Sequence, residues 1–144
     1  MITTATEKDY PVIIELWEQA VRATHLFLPE DYLQHIKRLL PSILPTVQLF
    51  INQDEDENIT GFLGVAEKKI EMLFIRPLSR GQGVGKQLTQ FAIHELKSDK
   101  VDVNEQNSQA VGFYQRLGFV ITGRSETDGL GKPFPLLLME LKQY

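Results

Sequence analysis

The sequence predicts an α/β (α+β) fold, a mixed sheet with helices packed on it. Three observations lead there. Apolar residues recur at helical spacing through residues 7–23 and 30–40. From residue 47 the pattern changes to β-rich runs. Helical stretches at 84–97 and 108–117 then alternate with further strands, which gives the order βααβββαβαββ.

"ITT", residues 2–4, reads as a short first strand. In 7–23, Val12, Ile13, Leu16, Trp17, Ala20 and Val21 share one helical face. "LFLPEDY" breaks the pattern, because Pro29 disfavours helix at the residue before it. A second helix is expected over 30–40, with Leu33, Ile36, Leu39 and Leu40 on one side and Pro41 and Pro45 ending it. "VQLFIN" and "ITGFLGVAE" are strands joined by the acidic hairpin loop "QDEDEN", which reads as a solvated turn. "KIEMLFIRP" is the next strand, stopped by Pro77. Val84, Leu88, Phe91, Ala92 and Leu96 mark the helix 84–97. "KVDVNEQ" is a fifth strand, helix 108–117 follows it, and "FVITGR" and "PLLLMEL" close the chain as strands. There is no linker composition and no repeat, so residues 1–144 are expected to form a single domain.

The chain has 144 residues, 42 % of them hydrophobic and 24 % charged, with a net charge of −4. That composition is ordinary for a soluble globular protein. The acidic balance argues against a nucleic-acid backbone as main partner. No cysteine is present, which excludes disulfides, thiolate metal sites and a cysteine nucleophile. "MITTATEKDY" does not read as a signal peptide, and no apolar run reaches the roughly 18 residues of a membrane helix. The expected location is the cytoplasm.

"LSRGQGVGKQL", residues 78–88, holds Gly81, Gly83 and Gly85 within five residues. Two nucleotide motifs do not fit. A Walker A loop would need glycine at Arg80 and a hydroxyl at Gln87. The dinucleotide pattern would need its third glycine at Lys86 or Leu88. A physical reading survives. A strand, a tight loop and a helix start gather free backbone N–H groups, and the helix dipole favours an anion there. Glycine lets phosphate oxygens approach the main chain, and Arg80 and Lys86 add positive charge. The site suits a pyrophosphate. A turn capping an ordinary helix is the alternative on the glycines alone.

Arg80-x-x-Gly83-x-Gly85 follows a strand and opens a helix. In this it resembles the acyl-CoA-binding loop of the GCN5-related N-acetyltransferases (GNAT). "NSQAVGFYQRLGF", residues 107–119, is similar to the second signature of that family. "ATHLFL" (23–28), "VNEQN" (103–107) and "GRSETDGLGKPFPLL" (123–137) resemble its YjaB-type branch of small bacterial members, so the resemblance covers nearly the whole chain. It implies a GNAT-type, mostly antiparallel central sheet whose fourth and fifth strands splay apart. It also implies a bulge in the strand before the loop, with the main chain of Leu73, Phe74 and Ile75 binding the pantetheine arm of acetyl-CoA. The loop Arg80, Gly81, Gln82, Gly83, Val84, Gly85 and Lys86 would wrap the pyrophosphate. Asn104 and Glu105 would lie near the gap, and Asn107 would touch the cosubstrate. By residue type Asn107 reads equally as a helix N-cap.

The resemblance assigns Tyr114 as the acid that protonates the departing CoA thiolate, in contact with the cosubstrate. Periodicity alone would place it in the core with Ala110, Phe113 and Leu117. A lysine amine, with pKa of about 10.4, is neutral in only about one molecule in 2,500 at pH 7, so a proton acceptor is needed. Histone-modifying members carry a glutamate where this chain has Lys69. Glu71, one strand repeat further on, is the candidate base. His25, in the "THLFLP" loop bordering the acceptor side, is a candidate for touching the substrate or shuttling a proton. Phe27 in the same loop and Glu126 in "SETDGLGKPFP" are expected beside the acceptor. His25, His35 and His94 are scattered without metal-ligand spacing, so no metal is expected.

The implied activity is direct acetyl transfer from acetyl-CoA to a primary amine, by branch resemblance a protein lysine. The missing cysteine fits a route without an acetyl-cysteine intermediate. A free small-molecule amine is an alternative acceptor, and a non-catalytic CoA-binding sensor is the alternative from another class. Turnover on an amine panel separates them. The expected partners are acetyl-CoA and the amine acceptor, with no nucleic acid and no membrane, in a monomer or a homodimer.

Overall fold

The computed structural model describes residues 1–142. The strands are β1 (Ile2–Thr4), β2 (Gln48–Gln53), β3 (Ile59–Ala66), β4 (Lys69–Ile75), β5 (Lys100–Asn104), β6 (Phe119–Ser125) and β7 (Leu136–Leu141). The helices are α1 (Tyr10–Thr24), α2 (Glu30–Ile43), α3 (Val84–Glu95) and α4 (Ser108–Arg116). The order of elements is the one the hydrophobic periods predict.

Two helix boundaries differ from expectation. Residues Glu7–Asp9 form a separate tight turn before α1. The Asp9 carboxylate accepts the Thr6 N–H at 2.8 Å and holds that turn. Pro41 does not end α2, which continues to Ile43. A proline removes one N–H and crowds the carbonyl four residues earlier. So close to the helix end, the chain tolerates that loss, and the Leu44 N–H still bonds Leu40 O. Pro45 then sits in a short tight turn, Leu44–Thr46.

The seven strands lie in the order β1-β2-β3-β4-β5-β7-β6. Every neighbouring pair is antiparallel except β4 and β5, which run parallel. Those two pair only at Lys69↔Lys100 and Ile70↔Val101. Beyond that point β4 follows β3 to Ile75, whereas β5 follows β7 to Asn104. The strands therefore part, as expected for the fourth and fifth strands. A bulge marks the same point. Gly64 pairs with Met72 and Val65 with Ile70, so Glu71 is the extra, unpaired residue.

The two sheet faces carry separate cores. On one, α1 and α2 pack Ile13, Leu16, Trp17 and Leu33 against Leu49, Ile51, Phe62 and Met72. On the other, α3 and α4 pack Leu88, Ala92 and Tyr114 against Leu63, Val101, Val103 and Phe119. Each fully buried large side chain contributes about 1.5–3 kcal/mol. Gly61 lets the start of α3 sit this close to the sheet. A Cβ there would come within 2.9 Å of Ile75 Cδ1, 3.0 Å of Val84 Cγ1 and 3.1 Å of Phe74 O.

Candidate active site

A cavity of about 700 Å³ opens where β4 and β5 part. Its walls include the end of β4, the glycine loop and α4. It also takes in Ala20, Thr24 and His25 from α1 and the segment after it. Residues from both faces of the sheet thus meet in one space through the gap.

The β4 wall offers main-chain groups. The Arg76 N–H donates to Thr60 O on the β3 side at 2.8 Å. Antiparallel strands alternate their bonding edge, so Phe74 also turns its peptide groups toward β3, while Leu73 and Ile75 turn theirs to the open edge. Two of the three expected residues therefore have free main-chain groups there. Phe74 instead lends the cavity its ring, whose centroid lies 6.5 Å from that of His25 and 5.6 Å from that of Phe62. The bulge that re-aims this edge is at Glu71, upstream of all three.

The loop after β4 is open toward the cavity. Gly81 and Gly83 have φ of +81° and +82°, and a Cβ at either would meet nothing within 4 Å. Gly83 is the N-cap of α3 and supplies no side-chain acceptor, so first-turn N–H groups stay available to an anion. Arg80, Gly81, Gly83, Val84, Gly85 and Lys86 all line the cavity, whereas Gln82 does not. Arg80 Nη2 donates to Gln109 Oε1 at 2.9 Å and ties the loop to α4. A Cβ on Gly85 would lie 3.4 Å from Phe113 Cζ, so the first turn of α3 rests against α4.

On α4, Asn107 does two things. Its Oδ1 accepts the Ala110 N–H at 3.2 Å as the helix cap, and the residue also lines the cavity. Tyr114 lines the cavity as well and is 6 % exposed, packed edge-on against Phe113 and Phe119. Its hydroxyl makes no hydrogen bond to a described residue. Burial pushes the phenol pKa up, so the proton is retained at neutral pH.

Across the gap, His25 lines the cavity with Nδ1 2.7 Å from Thr24 Oγ1. Burial pulls its pKa down and favours the neutral ring. Phe27 is not on the cavity wall. It packs between His25, at 5.4 Å, and Phe134, at 6.0 Å. Tyr32 stacks on Phe134 at 5.2 Å and donates its hydroxyl to the Asp128 carboxylate. The segment after α1 and the connection between β6 and β7 therefore meet. Glu126, expected on this side, is exposed and, like Asp128, does not line the cavity. The carboxylate of this loop that meets Tyr32 is Asp128, whose Oδ1 accepts the Leu130 and Lys132 N–H groups at 3.0 and 2.9 Å and fixes the turn.

Glu71 also lies outside the cavity wall. At the bulge it stands near the Lys69–Asp102 ion pair, and burial raises its pKa while Lys69 opposes the rise. Glu105 is engaged by Arg124 at 2.5 Å. Sequence reasoning missed Thr24 and Gln109 as site residues. Thr24 carried one local signal, a Thr-His pair at a helix end, and Gln109 carried none. Among the described residues no helix is long and apolar enough to cross a membrane, and no group of three acidic or histidine side chains is placed to hold a metal ion.

Comparison with known proteins agrees with this geometry. Residues 17–140 match the family described as the acetyltransferase (GNAT) domain. The chain is 42 % identical over 125 residues to the peptidyl-lysine N-acetyltransferase YjaB of Salmonella typhimurium, covering 87 % of this chain and 86 % of the relative. The solution structure of apo YjaB from Escherichia coli superposes with a TM-score of 0.90 at 37 % identity, covering 100 % of this chain and 98 % of that one. A PaiA N-acetyltransferase from Thermoplasma acidophilum, solved with coenzyme A, shares the fold with a TM-score of 0.75 at 22 % identity, covering 99 % and 98 % of the two chains. A sheet parted between β4 and β5, a glycine loop at the start of α3 and a match over residues 17–140 have one explanation: the chain belongs to the GNAT family of N-acetyltransferases.

Proposed function

We propose that this chain, acting as a single domain, transfers acetyl from acetyl-CoA directly to a lysine side chain of a protein. One observation carries the reading. A single cavity joins the glycine loop, the open edge of β4 and Tyr114 on one side of the gap to His25 on the other. The loop from Arg80 to Lys86 fits a pyrophosphate, because its main chain is unscreened by side chains at Gly81 and Gly83 and two cations flank it. The outward peptide groups of Leu73 and Ile75 suit an extended amide-bearing arm laid along β4. An N–H on that edge would polarise the thioester carbonyl. Tyr114 holds a proton in a dry wall beside the arm, where a leaving thiolate needs one.

The acceptor class is supported by the relatives. YjaB of Salmonella typhimurium is named a peptidyl-lysine N-acetyltransferase, and the identity of 42 % extends over 87 % of this chain. The acceptor would enter beside His25, which an aromatic cluster of Phe27, Phe134 and Tyr32 backs from outside the cavity wall. Incubation with acetyl-CoA and a panel of lysine peptides and free amines tests the reading, with thiol release and product mass as readouts. Acetylated lysine peptides are expected. Turnover of free amines alone would move the acceptor to small molecules. CoA binding without any turnover would make the protein a sensor.

A further inference from the structure

We propose that Thr24 is a positioning residue that holds His25 as its Nδ1–H tautomer, leaving Nε2 as the base that takes a proton from the acceptor nitrogen. The proposal rests on the acetyl-transfer reading above. Thr24 Oγ1 lies 2.9 Å from Ala20 O and 2.7 Å from His25 Nδ1. A hydroxyl has one proton to give. When that proton goes to Ala20 O, the second contact is a hydrogen bond only if Nδ1 carries its own proton. The opposite arrangement, with the hydroxyl donating to Nδ1, leaves two oxygens 2.9 Å apart with no proton between them. The network thus assigns the tautomer.

The ring is held in place and the remaining nitrogen is available. The His25 N–H bonds Val21 O at 2.7 Å, the Leu28 N–H bonds His25 O at 3.1 Å, and the ring lies between Phe27 and Phe74. Nε2 has no hydrogen bond from the described residues, and His25 lines the cavity. Charged and titratable groups surround it on several elements. On α1, Arg22 pairs with Glu18 and Glu30. Tyr32 of α2 and Asp128 of the β6–β7 connection bond each other. β4 presents the Phe74 ring, and Arg80, Lys86, Arg116 and Tyr114 line the same cavity. Among the described residues no carboxylate pairs with the imidazole, and burial favours its neutral form, the one with a free lone pair on Nε2. Glu71, the carboxylate expected for this task, stands outside the cavity.

The proton balance closes. The acceptor ammonium first releases one proton to water, and the lone pair of the free amine then forms the C–N bond to the acetyl carbonyl carbon. The nitrogen becomes cationic and gives one proton to His25 Nε2. The C–S bond breaks with its electron pair on sulfur, and the sulfur takes the Tyr114 hydroxyl proton. The imidazolium then loses a proton to water and the Tyr114 phenolate regains one.

Nitrogen-edited NMR of the ligand-free protein reads the tautomer without any turnover. The expected result is Nδ1–H in wild type and in Thr24→Ser, with a shift toward Nε2–H in the isosteric Thr24→Val. Thr24→Val should also lower kcat by roughly 10²-fold, the low end for a positioned base, and leave acetyl-CoA affinity by calorimetry unchanged. Thr24→Ser should restore kcat. In wild type, kcat/KM should fall more steeply as pH drops through the lowered His25 pKa than protonation of the amine alone requires, and His25→Gln should remove that extra slope. An Nε2–H wild type, a Thr24→Val protein with wild-type tautomer and kcat, or a His25→Gln protein with wild-type rate would each overturn the proposal. A wild type that is Nδ1–H, binds acetyl-CoA and acetylates no amine would instead overturn the acetyl-transfer reading and the base role with it.

Discussion

Gly83→Asp places a carboxylate at the cavity mouth without touching its walls. Gly83 has φ of +82°, a region that Asp and Asn enter more readily than other residues with side chains. Its Cβ would meet no atom within 4 Å, so nothing has to move. The folding cost is that of a left-handed backbone alone, about 1–2 kcal/mol. For a chain of 144 residues this lowers the thermal midpoint by only a few degrees. The cost to ligand binding is larger. A unit charge about 5 Å from a phosphate oxygen, at an effective dielectric constant of about 20, is repelled by roughly 3 kcal/mol. After screening by physiological salt, a loss on the order of 10²-fold in CoA affinity is expected. Gly83→Asn has the same backbone and no charge, and should bind far better than the aspartate variant. Calorimetric titration with CoA at two salt concentrations measures both, and the gap between the variants should narrow as salt rises. Equal CoA affinity in folded Asp and Asn variants would refute a phosphate seat at this loop.

Tyr114→Phe keeps the packing against Phe113 and Phe119 and removes only a hydroxyl with no partner among the described residues, so its thermal midpoint should match wild type. Single-turnover acetyl transfer should slow by on the order of 10²–10⁴-fold; an unchanged rate would return Tyr114 to a purely structural role. Because burial raises the phenol pKa above its ordinary 10.0, wild-type activity should show no decline from phenol ionisation up to that pH in a pH–rate profile. Tyr32→Phe keeps the stack on Phe134 and breaks the bond to Asp128. The acceptor KM should rise with acetyl-CoA affinity unchanged, and an unaltered KM would separate this contact from the acceptor side. Arg22 holds the Glu30 carboxyl at about 2, below its ordinary 4.5, so this pair stabilises the fold above about pH 4.5 and is lost as pH falls through about 2. Thermal midpoints of wild type and Arg22→Met should therefore converge over that interval, by a small amount because both groups are exposed to screening. Parallel curves down to pH 2 would count against it.

The element order was legible because each segment's apolar period is strong. What escaped the sequence has physical reasons. Pro41 reads as a terminator, but so near the end of α2 it costs too little to stop the helix. Counting in steps of two from Lys69 reaches Glu71, and a bulge at that very residue breaks the count. Glu126 and Asp128 are equivalent as letters in an acidic loop. The turn around Asp128 decides which carboxylate faces Tyr32, and that choice depends on a residue 96 positions away. The glycine loop was legible because its chemistry lies in the backbone, which glycines announce. The role of Thr24 was not, since it turns on where a single hydroxyl proton goes.

The narrow seam between β4 and β5 has a mechanical consequence. Four strands lie on one side of it and three on the other, and the ladder between β4 and β5 has two residue pairs. Beyond these, the Asp99 N–H bonds Lys68 O at 2.9 Å, Lys69 pairs with Asp102, and side chains under α3 and α4 pack into one core. Such a sheet behaves as two plates on a short hinge. An extended arm lying between them would act as a splint, supplying rungs that the sheet lacks beyond Ile70 and Val101. Occupancy would then be felt as stiffness: the plates would breathe less, and residues such as Ser125 and Leu136, paired on the far plate, would exchange their amide protons more slowly without touching the ligand.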